Sequence, residues 1–133
     1  IGWASGLGRV YHYAWDDQHG WASSPTRIRP GTNLAVAVNA SGKAFHEVSQ
    51  WMAGHRMSDL DRTSDGGVWR VTLADSSGAV SYIAWHPART RENPGQMRVP
   101  AGVSKRCDLA GQCFGVKAGE TVPVDFSPSV FMN

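Results

Sequence analysis

Two cysteines, five histidines, six tryptophans and eleven carboxylates are the side chains with which this 133-residue sequence could do chemistry. Their spacing excludes more than it offers. His12, His19, His46, His55 and His86 show no metal-ligand spacing. Ser23 and Ser24 have no His/Asp arrangement that would activate a hydroxyl. Asp59-x-Asp61-x-x-x-Asp65-Gly is reminiscent of a calcium loop, but it departs from alternating carboxylates and no glutamate closes it. Neither a metal nor a cofactor is expected. Cys107 and Cys113 flank Asp-Leu-Ala-Gly-Gln, a turn-like segment between two strand-like runs. Facing positions of a hairpin can meet disulfide geometry; free thiols are the alternative. A disulfide would imply an oxidising compartment. The tryptophans either pack a core or stack on sugars.

The elements that must carry these side chains fall into two kinds. Val10 to Trp15 is rich in aromatic and β-branched residues and reads as a strand. A long loop over 16–38 follows, with Leu34–Val38 apolar enough for a short buried extension. Asn39 then sits as an N-cap, and Ala44, Phe45, Val48, Trp51 and Met52 recur on one helical face. Gly54 closes that helix. From Met57 onward the period is two. Strand-like runs around Trp69–Leu73, Tyr82–Trp85, Met97–Val99, Val103–Cys107, Cys113–Val116, Thr121–Phe126 and Val130–Met132 are separated by Gly, Pro, Asp and Ser turns. This pattern predicts a mainly β chain: an antiparallel β-sandwich over 57–133, preceded by a strand–loop–helix unit over 1–56. Pro123 inside a strand pattern marks an edge.

Composition adds few constraints. Hydrophobic residues are 41% and charged residues 18% of the chain, and both are ordinary for a globular domain. No apolar run approaches the roughly 20 residues that span a bilayer, so no membrane partner is expected. Thirteen basic against eleven acidic side chains leave +2, too little to argue for nucleic acid. Arg89, Arg91, Arg98, Lys105 and Arg106 form a basic neighbourhood, and Arg27 and Arg29 another; solvated faces account for them, with an anionic polysaccharide as the alternative. The chain starts at Ile1 without an initiator Met or signal peptide, which is expected of a processed, trimmed or partial chain.

A strand ending Tyr13-Ala-Trp-Asp16, a loop, and then Asn39 to Gly54 resemble the last β/α unit of retaining glycoside hydrolases with a (β/α)8 barrel. Val80-Ser-Tyr-Ile-Ala-Trp-His86, Met97-Arg-Val-Pro-Ala-Gly-Val103, Asp108-Leu-Ala-Gly111 and Ser127-Pro-Ser-Val-Phe131 resemble the small C-terminal β-sandwich beside such barrels. The resemblance implies that the catalytic glutamates lie at barrel strands outside this chain. Retention needs two carboxylates about 5 Å apart, and Glu47, Glu92 and Glu120 match neither position. It further implies that Trp15, at a strand's C-terminal end, lines the floor under a bound sugar. Asp16, Asp17 and Trp21 would border the same cleft. A core tryptophan and solvated aspartates are the alternatives. The implied partners are carbohydrate and the barrel portion of the same protein, in a secreted or periplasmic setting, with this chain alone inactive as a hydrolase. The competing readings are a carbohydrate-binding module with exposed coplanar aromatics such as Trp21 and Tyr82, and a structural domain whose helix docks on a partner.

Overall fold

A computed structural model describes residues 26–28, 35–38, 40–64 and 67–133, with side chains at Val38 and from residue 40 onward. The chain divides into two compact units, Ile1–Gln50 and Trp51–Asn133. In the first, β1 (Thr26–Ile28) pairs antiparallel with β2 (Ala35–Val38), and the register shifts between Arg27 and Ile28. The sequence reading expects one loop here. The β-branched Thr26, Ile28, Val36 and Val38 instead close a short ladder. Val38 is 58% exposed, so the expected buried extension is not buried at that end.

Helix α1 (Ala40–Met52) covers the predicted span, while its expected cap, Asn39, lies outside the described residues. Its apolar face is unevenly covered. Trp51 is buried, Ala44, Val48 and Met52 are half-buried, and Phe45 is 48% exposed. Gly54, at φ 73°, turns the chain out of the helix.

The second unit holds eight antiparallel strands in two sheets. They are β3 (Arg56–Arg62), β4 (Trp69–Ala74), β5 (Val80–Trp85), β6 (Gly95–Arg98), β7 (Lys105–Cys107), β8 (Cys113–Gly115), β9 (Thr121–Val124) and β10 (Ser129–Met132). Six form a sheet in the order β3-β4-β5-β10-β7-β8; β6 and β9 pair separately. Pro123 therefore sits on an edge strand, where its missing N–H costs no ladder bond.

Aspartates close two of the hairpins by the same device. Asp75 Oδ1 accepts the N–H groups of Ser77 and Ala79 and the Ser77 hydroxyl, and Gly78 turns back at φ 86°. Asp108 Oδ1 accepts the N–H groups of Ala110 and Gln112, with Gly111 at φ 77°. These are the Asx turns that an Asp-x-x-Gly spacing favours.

Register assigns the two faces of the large sheet. Trp69 lies opposite Trp85, Val71 opposite Ile83, Val130 opposite Ile83, and Cys107 opposite both Val130 and Cys113. The other face carries Asp61, Arg70, Tyr82, Ala84, Phe131, Arg106 and Phe114. On that second face, Ala84 and Phe131 join Met97, Val99, Val103, Val122 and Val124 in a buried core shared with the small sheet. The first face is apolar too. Val71, Leu73, Ile83 and Val130 are buried there, and Trp69 and Trp85 stack at 6.4 Å.

Candidate functional site

The small sheet has two strands and the large one six, so the core-side face of the large sheet extends beyond its cover. At the β7–β8 end this leaves a cleft of about 330 Å³. Arg106, Asp108, Phe114 and Val116 line it from the β7–β8 hairpin and its exit, Val122 and Asp125 from β9 and its end. Ser127 and Ser129 come from the approach to β10, and Arg91 from the β5–β6 connection.

Arg106 organises the inner wall. Its Nη1 donates to the Pro123 carbonyl at 2.7 Å and its Nη2 to the Ser129 hydroxyl at 3.1 Å. Its guanidinium lies over the Phe131 ring, 5.5 Å from the centroid. This cation–π arrangement closes one side of the core. Burial pushes the Arg106 pKa down, while the Asp125 and Asp108 carboxylates push it back up. An arginine in such company remains charged.

The carboxylates are half-committed. Asp108 Oδ1 is consumed by its turn, and Asp125 Oδ1 accepts the Ser127 N–H at 2.6 Å. Arg91 Nε approaches Asp125 Oδ2 at only 3.8 Å, with the Arg91 side chain 75% exposed. Asp108 Oδ2 and the Ser127 hydroxyl make no hydrogen bond among the described residues. Phe114 stands 55% exposed at the mouth. The disulfide Cys107–Cys113 brackets Asp108 and precedes Phe114, fixing this hairpin's two sides together.

This arrangement offers two carboxylates and two guanidinium groups to a ligand. No histidine, glutamate or free thiol lines the cleft. The glutamates are dispersed: Glu47 on α1, Glu92 in the β5–β6 connection, and Glu120 accepting the Lys117 N–H in a turn. Main-chain and Thr90 hydrogen bonds hold the Glu92 carboxyl below its ordinary range.

The sequence-derived sugar contacts Trp15, Asp16, Asp17 and Trp21 all lie outside the described residues. Cys107 and Cys113 form the expected disulfide. Tyr82, named as an exposed platform under the binding-module reading, instead packs against the core, with Arg70 over its ring at 5.4 Å. In the calcium-like run, Asp61 is taken by Arg70 at 2.6 Å and Asp59 accepts the Leu60 N–H, while Asp65 lies outside the described residues. Among the described residues no group of three potential ligands can hold a metal, and no helix is long and apolar enough to cross a membrane.

Sequence reasoning placed Arg91 and Arg106 in a solvated basic face and passed over Phe114 and Asp125. One signal for Arg106 was present. It immediately precedes Cys107 in a strand, so it must point to the face opposite the disulfide. No protein-family model, characterised protein sequence or solved structure matches this chain.

Proposed function

We propose that this chain is the C-terminal part of a secreted glycoside hydrolase, its second unit a β-sandwich that stabilises a (β/α)8 barrel bearing the catalytic glutamates. One observation carries the reading beyond the sequence resemblance: the large sheet is apolar on both faces. An antiparallel sheet that closes a domain by itself needs one apolar face and turns polar residues to water on the other. Here the core-side face has Ala84 and Phe131, and the opposite face has Val71, Leu73, Ile83 and Val130, all buried, with the Trp69–Trp85 stack beside them. A sheet buried on both faces belongs to a domain that packs against further structure on either side, as an accessory domain does. The Cys107–Cys113 disulfide fits an oxidising, extracytoplasmic setting.

Native mass spectrometry of the protein from its natural source, followed by a stereochemical hydrolysis assay, tests this. The expected result is that these 133 residues belong to, or remain bound to, a larger polypeptide with retaining glycosidase activity, and that they hydrolyse nothing alone. A lone chain of this length that occurs free in the source, or that hydrolyses glycans by itself, would refute it.

A further inference from the structure

We infer that the cleft between β7–β8 and β9 is a binding subsite for one uncharged pyranose ring of a glycan. Charge sets the ligand class. Arg91 and Arg106 face Asp108 and Asp125 in the same lining, so an anion meets two carboxylates and a cation two guanidinium groups. A neutral polyol offers donors to the carboxylates and acceptors to the guanidinium groups at once.

The polar atoms left over match that need. Among the described residues Asp108 Oδ2 is an acceptor without a donor, the Ser127 hydroxyl is both donor and acceptor, and the Arg91 guanidinium has only a 3.8 Å approach to Asp125. An acceptor, a hydroxyl and a cationic donor around one space are suited to neighbouring hydroxyls on a ring.

Shape agrees. Phe114 stands open at the mouth, with Val116 and Val122 in the same lining. Together they give an apolar surface for the C–H face of a pyranose. The cleft's volume of about 330 Å³ lies at the small end of the range for ligand pockets and accommodates a single ring better than a long chain. The wall is also pre-formed: Arg106 is locked by Pro123, Ser129 and Phe131, and Asp108 by its turn and the adjoining disulfide. Little ordering is left for the ligand to impose, which favours binding by a small contact area.

The test is amide NMR titration of the oxidised chain with neutral oligosaccharides of glucose, xylose, mannose and galactose, added one at a time, and with oligoglucuronate as the anionic probe. At least one neutral probe is expected to shift the amides around Arg91, Asp108, Phe114, Asp125 and Ser127. Phe114→Ala removes an exposed ring and should leave the fold's melting temperature unchanged while weakening that probe roughly tenfold or more. Arg91→Ala should weaken it by a smaller factor, because that side chain is mostly in water. Three outcomes overturn the inference: no neutral probe binding, shifts confined to other surfaces, or affinity unchanged by Phe114→Ala. Binding of oligoglucuronate alone also overturns it and makes the cleft an anion site. None of these outcomes bears on whether a catalytic barrel exists, which the mass measurement decides separately.

Discussion

Gly95→Ala should destabilise the second unit through one collision. A Cβ built on Gly95 would stand 2.5 Å from His86 Cδ2, and 3.3 and 3.4 Å from Cγ and Nε2 of the same ring. Ordinary contact begins near 3.4 Å, so ring and strand must separate by about 0.9 Å. Neither side yields easily. His86 is 7% exposed, its Nδ1 accepts the Ala88 N–H, and its main-chain N–H donates to the Asp125 carbonyl at 2.7 Å. Gly95 is buried at the start of β6, in register with the fully buried Val124. Overpacking of this kind costs about 1–3 kcal/mol, from which the lower entropy of an unfolded alanine recovers about 0.4–1 kcal/mol. From the middle of both ranges the net loss is about 1.3 kcal/mol. In a unit of this size each kcal/mol moves Tm by about 4–8 °C, so Tm should fall by about 5–10 °C. Thermal melts followed by the near-UV signal of the stacked Trp69–Trp85 pair would read it in the right unit. Gly115→Ala is the control. A Cβ there meets nothing within 4 Å, and its Tm should hold or rise slightly. In a His86→Ala background, Gly95→Ala should cost much less, because the collision partner is gone. A Gly95→Ala melt within about 2 °C of the parent, or the same cost with and without the imidazole, would show the reasoning to be wrong.

Three further outcomes follow from the same structure. Replacing Cys107 and Cys113 together by serine opens a short loop. Chain-entropy arguments give a loss of about 2 kcal/mol, read as a lower Tm matched by the parent in reductant. The same change should loosen Asp108 and Phe114, visible as faster amide exchange over 108–114 than over β4 and β5. Leu73→Ala removes a fully buried side chain from the second apolar face. It should cost about 2–5 kcal/mol by denaturant titration, whereas a loss below about 1 kcal/mol would mean that face is not packed. The Asp75 carboxyl is held below its ordinary value, chiefly by the Ser77 hydroxyl; desolvation opposes this, and the main-chain N–H groups of Ala79 and Ser77 add to the lowering. A depressed carboxylate contributes stability above its unfolded pKa and loses it as pH falls through the folded value. The β4–β5 turn should therefore loosen on the acid side of the ordinary aspartate range, with Asp75→Asn abolishing that pH dependence in amide exchange.

The strands of the second unit from β4 onward were legible because alternation and turn chemistry agree there, whereas β3, Arg-Met-Ser-Asp-Leu-Asp-Arg, was not among the expected runs because its charged and polar residues mask the alternation. Val71, Leu73, Ile83 and Val130 alternate with polar or smaller neighbours, and the Asp75–Gly78 and Asp108–Gly111 spacings mark hairpins that the aspartate side chains then close. The cysteine pairing was legible for the same reason, since two strand ends around a tight turn must face each other. β1 was not: three residues carry too little pattern to separate a strand from a loop, and its partner decides it. The cleft was hidden further. Arg91, Arg106, Asp108, Phe114 and Asp125 come from separate elements, and only the strand order β10-β7-β8 brings them to one end of the sheet. Local spacing cannot encode a meeting of residues that depends on which strands become neighbours.

That strand order also explains why the core ends where it does. A six-stranded sheet covered by two strands leaves part of its core-side face uncovered on both flanks. Each flank is closed by an arginine lying over the outermost core aromatic. On the β3–β4 side Arg70 covers Tyr82 and is anchored by Asp61 through two bonds, at 3.1 and 2.6 Å. On the β7–β8 side Arg106 covers Phe131 and is anchored by the Pro123 carbonyl and Ser129. A guanidinium suits this boundary, since its face tolerates an aromatic ring while its edge keeps hydrogen-bond partners. The two flanks then diverge. Both oxygens of Asp61 are taken up by Arg70, so that pair answers its own charges. At Arg106 the anchors are a carbonyl and a hydroxyl, so among the described residues Asp108 Oδ2 has no hydrogen-bond donor and Asp125 Oδ2 has only the looser approach of Arg91 Nε at 3.8 Å. The same capping problem, solved once with a carboxylate and once without, leaves a self-satisfied ion pair on one side and the lining of a cleft on the other.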